Sequence, residues 1–364
     1  MSAQTKTGVP EGGGEAAKNA GGMAAPADRA GEPRDGSRRS GPLAGLMSGS
    51  AGHLLGLVIA LLLLCLIGLV TAGDRFADFD NMMTILRLAS VIGVISVGMT
   101  FVITGGGIDL SVGAIVALAS VWATTLATQT MGADIHWIVM VTTALLVGAG
   151  CGLVNGVLIA YGKMAPFIAT LAMLAAARGL AEIISDKKTQ VVTERGLVDF
   201  FGGEVLGIPV LVIVFALVAA GAWVLLNRTA FGRRTLAVGG NPEAARLAGI
   251  NVKRHTAILY VLLGVACGIA AVLLLARTTA GTSTHGGLYE LEAIAAVVIG
   301  GTLLSGGRGT IVGTVFGVLI FTTLTNVFTL NNLDTSTQAV AKGAIIVAAV
   351  LLQQRVAARN GTGG

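Results

Sequence analysis

Charge is the scarcest commodity in this sequence. Lysine, arginine, aspartate and glutamate make up 12% of the 364 residues, against roughly 25% in an ordinary soluble protein. A chain this long and this poor in charge has no means of covering a globule with polar surface. A water-soluble fold is therefore excluded, and lipid-facing surface is implied. Cysteine is nearly absent too: Cys65, Cys151 and Cys267 stand far apart inside apolar stretches, without a C-x-x-C pair or metal-ligand spacing. The histidines His53, His136, His255 and His285 are equally scattered, so no metal site is expected. No G-x-x-x-x-G-K-[ST] phosphate loop occurs; the Gly162-Lys163 pair is followed by Met164. No Ser-His-Asp set or paired catalytic carboxylates emerge, so no catalytic residue is expected either.

What is abundant is apolar. Hydrophobic residues make up 54% of the chain, and its mean hydropathy is +0.83. The 53 glycines point the same way, because small residues let membrane helices pack closely. About 20 apolar residues cross a bilayer core, and ten candidate runs follow one another: 51–72, 82–103, 111–127, 136–160, 166–184, 209–226, 256–276, 293–304, 310–330 and 337–352. The run at 293–304 is short for a full crossing; an earlier start near Leu288 and a partly re-entrant path are both open. The expected fold is all-α, a polytopic membrane protein of about ten transmembrane helices, some broken by glycine-rich segments. Residues 1–48, rich in Gly, Ala, Pro and Ser, bury too little to offset their ordering entropy and are expected to be a disordered tail. The membrane domain is expected at 49–355, followed by a short tail at 356–364. Val70-Thr71-Ala72 resembles a signal-peptide cleavage site, but the segment before the first run is far too long for an n-region.

Loop charges give an independent test, because cytoplasmic loops are enriched in Lys and Arg. With the N-terminus inside, 73–81 falls outside and carries Asp74, Asp78 and Asp80 against Arg75. The 185–208 loop is also outside and slightly acidic. The 227–255 loop falls inside, with Arg228, Arg233, Arg234, Arg246, Lys253 and Arg254 against Glu243. Lys163, Arg308, Arg355 and Arg359 are inside as well. The map closes with both termini cytoplasmic. The net charge of +5 thus reflects loops between apolar runs and not a nucleic-acid surface.

Three segments interrupt the apolar pattern in informative ways. The first is Thr104-Gly105-Gly106-Gly107-Ile108-Asp109-Leu110-Ser111. Three glycines weaken a helix by about 1 kcal/mol each relative to alanine, and backbone groups freed at membrane depth need protein or a wet cavity around them. Asp109 suits the start of the next helix, as a cap on its amides; a role on a transport path is compatible with that. The second is Asn241-Pro242-Glu243-Ala244-Ala245-Arg246-Leu247-Ala248-Gly249, which reads as a helix of about two turns with an N-cap, an N1 proline and a terminal glycine. It is either a handle for a partner protein or a plain connector. The third runs from Tyr289-Glu290-Leu291-Glu292 to Gly306-Gly307-Arg308-Gly309. Glu292 is suited to hydrogen-bond a polyol, to pair with a neighbour such as Arg277, or to cap its helix. Arg87, Arg178 and Lys342 fall in or near the ends of spans, where snorkelling to the interface is the default.

Long stretches of these motifs resemble a known family. Gly98 to Gly113, Phe231-Gly232-Arg233-Arg234 through Val252, and Tyr289 to Gly313 are similar, in this order, to the signatures of bacterial ribose-type ABC transporter permeases. The similarity covers about 80–352 and leaves the N-terminal tail outside. One departure is the extra glycine in Gly105-Gly106-Gly107, where the family carries a serine or a single glycine pair. The resemblance implies an inner-membrane permease, expected as a homodimer, that passes a pentose or hexose from a periplasmic sugar-binding protein. A cytoplasmic ATPase would hold the ATP and magnesium, leaving no cofactor in this chain. Glu243, Ala244 and Ala245 with Gly249 match the EAA-type loop that engages the ATPase, with Arg233 and Arg234 beside it. Gly105, Gly106, Gly107, Asp109, Ser111 and Glu292 are the expected translocation-path residues. The rival cargoes are a nucleoside, a branched-chain amino acid or another polyol. The rival classes are an ion-coupled secondary transporter, which the sparse carboxylates disfavour, and a membrane scaffold.

Overall fold

The computed structural model describes residues 50–345 and 347. The expected tails at 1–48 and 356–364, and the end of the tenth apolar run, lie outside those residues. Long helices dominate: α1 Ser50–Ala72, α2 Asp74–Ala77, α3 Phe79–Thr104, α4 Val112–Ala123, α5 Leu126–Asp134, α6 Ile138–Ala160, α7 Pro166–Ser185, α8 Arg195–Gly202, α9 Val210–Arg228, α10 Ala230–Gly240, α11 Pro242–Leu247, α12 Val252–Thr278, α13 Tyr289–Ile299 and α14 Ile311–Leu330. A further helical stretch is described over 335–345. The only strands among the described residues are two-residue pieces, β1 Gln190–Val191 with β4 Ala280–Gly281 and β2 Glu204–Val205 with β3 Ile208–Pro209, both pairs antiparallel. This is an all-α polytopic membrane protein.

Seven of these helices are long and apolar enough to cross a bilayer: α1, α3, α6, α7, α9, α12 and α14. Together α4 and α5 are long and apolar enough for an eighth crossing, either as one broken span or as a re-entrant loop. The expected run at 111–127 ends as a helix at Ala123, and the chain bends by 57° into α5. Two adjacent threonines cause the break. Thr124 Oγ1 donates back to the carbonyls of Ser120 and Val121, while Thr125 caps α5 by accepting from the Thr128 amide. The run expected at 293–304 begins earlier, at Tyr289, behind a left-handed Leu288, and α13 has 11 residues, about 16 Å at helical rise. That is half a bilayer core. The tenth run, 337–352, extends beyond the described residues.

Burial separates the helices into an inner and an outer set. Along α3 and α12 most residues are buried, whereas α1, α6, α7 and α9 present Leu, Ile, Val and Phe outward along much of their length. Outward apolar side chains are stable only against lipid or another apolar surface. The tightest seam joins α6 to α12. Gly148, Gly152 and Gly156 follow one another at four-residue spacing, and each lies against α12 backbone at Gly264, Tyr260 or Ala257. Small residues at that spacing form one face of a helix and let two backbones approach.

Candidate functional site

Two regions gather the residues that the sequence singles out. The first is the break between α3 and α4. Burial here is nearly complete: Asp109 is 1% exposed, and Ser111 and Asn155 are 0% exposed. Asp109 Oδ1 accepts from the Ser111 amide at 2.7 Å and from Ser111 Oγ at 2.5 Å. Asn155, from α6, donates to Asp109 Oδ2 at 3.2 Å and to Ser111 Oγ at 3.0 Å. Tyr260 of α12 donates to the Ile108 carbonyl at 3.3 Å. Asp109 does not cap α4 as expected: its carboxylate accepts from Ser111, one residue before the helix, and Ser111 at the N-cap makes no side-chain capping bond to the first turn. Sequence reasoning missed Asn155 and Tyr260, which clamp the break from α6 and α12. Gly105, Gly106 and Gly107 lie at the other end of the break, beside Leu259, Gly239 and Tyr260.

The second region is the 227–255 loop, which folds as α10 and α11. Asn241 Oδ1 accepts from the amides of Glu243 at 3.1 Å and Ala244 at 3.0 Å, with Pro242 at the first helical position. At the other end Gly249 adopts φ 83°. Its amide donates to Arg246 and that of Ile250 to Ala245, both at 3.0 Å, the paired closure of a Schellman turn. A residue with a Cβ is strained at that φ, so glycine belongs there. Ala245 is the buried residue of α11; Glu243, Ala244, Arg246 and Leu247 face outward, with Leu247 76% exposed. Glu243 and Arg246 form an exposed ion pair, with Nη2 to Oε1 at 2.5 Å. The guanidinium holds the Glu243 carboxyl below the usual carboxylate range. Arg233, Arg234, Lys253 and Arg254 are exposed around this helix.

Beneath it, α10 is tied into the membrane helices. Thr229 caps it through the amides of Phe231 and Gly232. The Phe231 ring lies 4.7 Å from His255 and 6.2 Å from Phe101, centroid to centroid, and Thr235 Oγ1 meets His255 Nε2 at 2.9 Å.

Glu292 is not part of the Gly105–Ser111 cluster. It pairs with Lys342 at 2.6 Å, both side chains largely buried, and not with Arg277. Lys342 thus points to a partner and does not snorkel. Arg178 departs from that default as well: it turns inward and donates to the carbonyls of Ser283 and His285, while His285 Nδ1 meets Ser120 Oγ at 3.1 Å. These bonds fasten the segment that leads into α13 to α7 and α4. Arg87 pairs with Glu204 at 2.7 Å, both side chains substantially exposed. Two hollows are walled mainly by apolar side chains. One, of about 190 Å³, is walled by α6, α8, α9 and α12 side chains such as Val141, Phe201 and Leu273; the other, of about 160 Å³, lies among α1, α3 and α14 near Cys65 and Phe76. Neither includes an expected path residue.

Comparison with known proteins places this arrangement. The family described as branched-chain amino acid transport system / permease component matches residues 81–350. The ribose import permease of Bacillus subtilis (strain 168) is 43% identical over 309 residues, 84% of this chain and 93% of that protein. The L-arabinose ABC transporter permease of Azospirillum brasilense is 39% identical over 302 residues, 82% of this chain and 87% of that protein. The D-allose transport system permease of Escherichia coli (strain K12) is 37% identical over 283 residues, 78% of this chain and 86% of that protein. No solved structure matches.

Proposed function

The chain belongs to the family of branched-chain amino acid transport system permease components, and from that premise we propose how it works as the membrane subunit of an ATP-binding cassette importer of a monosaccharide. It is a transport subunit and not an enzyme. The family description names amino acids, but the relatives covering most of the chain are permeases for ribose, arabinose and allose, which favours a pentose or hexose. An importer of this class works with an ATPase and a substrate-binding protein, both separate chains. ATP and magnesium belong to the ATPase, and this permease carries no cofactor.

The observation that carries the mechanism is α11: a helix of six residues, capped at both ends, outward-facing except at Ala245, and set in a basic loop. Such a helix is too short to stand alone and has little packing of its own. It fits a handle gripped by a partner, with Leu247 and the Glu243–Arg246 pair as the contact and Arg233 and Arg234 at its rim. In this reading both termini and α11 are cytoplasmic in the bacterial inner membrane, and the sugar arrives at the opposite face, where β1–β4 and β2–β3 lie. The sugar's hydroxyls need hydrogen-bond partners along their route. The two hollows within one chain are walled mainly by apolar side chains, which favours a route between two copies of the permease. The helix breaks at Gly105–Ser111 and around α13, with Asp109 and Glu292 fixing them, let the two copies switch access. ATP binding drives the switch because the closed ATPase dimer binds one arrangement of α11 better than the other.

Purification of the tagged permease in mild detergent tests the class: a stoichiometric ATPase is expected in the preparation. Glu243→Arg is expected to insert normally, to lose the ATPase and to abolish uptake. An isolated protein with ion-driven flux in vesicles that contain no ATP would overturn the reading, and normal uptake by Glu243→Arg would remove α11 from the coupling.

A further inference from the structure

A helix gripped from outside does nothing unless its movement reaches the transport path, and α11 has little side-chain packing through which to pass it on. Its N-terminal neighbour offers another route. At the end of α10, Gly239 and Gly240 lie directly against both helix breaks. A Cβ on Gly239 would fall on the Thr104 carbonyl and 2.7 Å from the Gly307 nitrogen. One on Gly306 would lie 2.7 Å from the Gly239 oxygen and 2.9 Å from Gly106 Cα, and one on Gly307 would lie 2.8 Å from Gly240 Cα. The Gly307 amide donates to the Thr104 carbonyl at 2.9 Å. Three backbone segments, from three distant parts of the sequence, therefore touch with no side chain between them.

We propose that this glycine junction, Gly239–Gly240 against Gly106 and Gly306–Gly307, is the element through which displacement of α11 moves both breaks together. The proposal rests on the reading of α11 as the ATPase contact. Backbone in direct contact has no rotamers to absorb a shift, so a displacement is passed on, not dissipated. The receiving residues are suited to accept it. Gly106 and Gly306 both sit at φ 84° and Gly307 at 75°, and hinges are short segments that take up backbone rotation. What lies beyond each hinge is rigid: the Asp109–Ser111–Asn155 cluster on one side, and on the other α14, where Gly313 packs against Gly300. The far end of α10 is fixed by Phe231 and Thr235 on Phe101 and His255, so α10 pivots at one end and presses on the breaks with the other.

The test uses the whole complex of permease, ATPase and binding protein in proteoliposomes. Gly239→Ala puts a methyl group on the Thr104 carbonyl and leaves the surface of α11 unchanged. It is expected to retain the ATPase and hydrolyse ATP while uptake falls by about 5- to 150-fold, the range of typical couplings between sites. Gly221→Ala, in α9 and with nothing within 4 Å of the added Cβ, is expected to transport. Normal uptake by Gly239→Ala would overturn the proposal while leaving ATPase binding by α11 intact; loss of the ATPase from the wild-type complex would instead overturn the functional reading beneath it. If Gly239→Ala fails to insert, hydrogen exchange in the wild-type complex decides. Trapping ATP on a hydrolysis-deficient ATPase is expected to change protection at 100–108 and 303–310 together with 237–247. A change confined to 237–247 would show that the junction is static and overturn the proposal.

Discussion

Asn241→Ala isolates what holds α11 together. Isolated helices shorter than about 12–15 residues are marginal in water, and α11 has six. Tertiary packing contributes little here, since Ala245 is the buried residue of the helix. Its ends must therefore carry much of its stability. Asn241 satisfies two otherwise orphaned amides, those of Glu243 and Ala244, and loss of such a cap costs about 1 kcal/mol, within a range of roughly 0.5–2. At 25 °C that is about a fivefold drop in the ratio of folded to frayed helix. Hydrogen-exchange mass spectrometry on the peptide covering 241–250 should read it as exchange about five times faster in Asn241→Ala than in wild type. The ATPase should be held correspondingly less tightly, because only the folded fraction is competent to bind. Leu247→Ala is the control: its side chain is 76% exposed, so exchange should stay unchanged while ATPase binding weakens. Equal exchange in Asn241→Ala and wild type would refute the reasoning and show that α10 and α12 hold the segment whatever its cap.

Two further predictions concern the membrane helices. Arg178→Ala leaves the Ser283 and His285 carbonyls without their cation; bonds to a charged group are worth about 1.5–3 kcal/mol each when protected from water, so residues 280–288 should become susceptible to protease while α6 and α12 stay protected, and an unchanged cleavage pattern would contradict this. Gly148→Ala sets a Cβ on the Gly264 carbonyl and should lower the melting temperature in detergent through an overpacking cost of about 1–3 kcal/mol; Gly150→Ala, with nothing within 4 Å, should leave it unchanged or raise it, and equal melting of the two variants would dismiss the seam between α6 and α12 as a tight contact.

The sequence made the membrane class and most helix positions legible, because both follow from local quantities. Charge scarcity and runs of about 20 apolar residues located the seven long crossing helices to within a few residues. Caps are equally local: Asn241, Pro242 and Gly249 specify α11 through contacts two to five residues apart, and the structure has these contacts. The bend at Thr124-Thr125 escaped notice because an apolar window does not register a hydroxyl that turns back on its own helix. The inward turn of Arg178 escaped for a different reason. Hydropathy assigns an arginine near a helix end to the interface, and only the fold brings two loop carbonyls, more than 100 residues away in sequence, within its reach.

The glycines carry this distinction furthest. Their number alone implied close helix packing, and that implication holds at the seam between α6 and α12. Number and spacing do not reveal what each glycine is for. Gly148, Gly152 and Gly156 accommodate another helix, Gly249 accommodates a turn, and Gly150 faces open space. On sequence alone Gly105, Gly106 and Gly107 are a weak point in one helix, which is a local property. In the structure the same break borders Gly239 and Gly306, which stand in separate segments of the sequence. A weak point that touches two others, backbone to backbone, has a different mechanical character from one that stands alone. None of the three segments can rotate without displacing its neighbours, and flexible residues thereby form a contact that constrains all three. That reversal depends on three-dimensional proximity across about 200 residues of chain, and so it is invisible to periodicity and composition even where every participating glycine is in plain view.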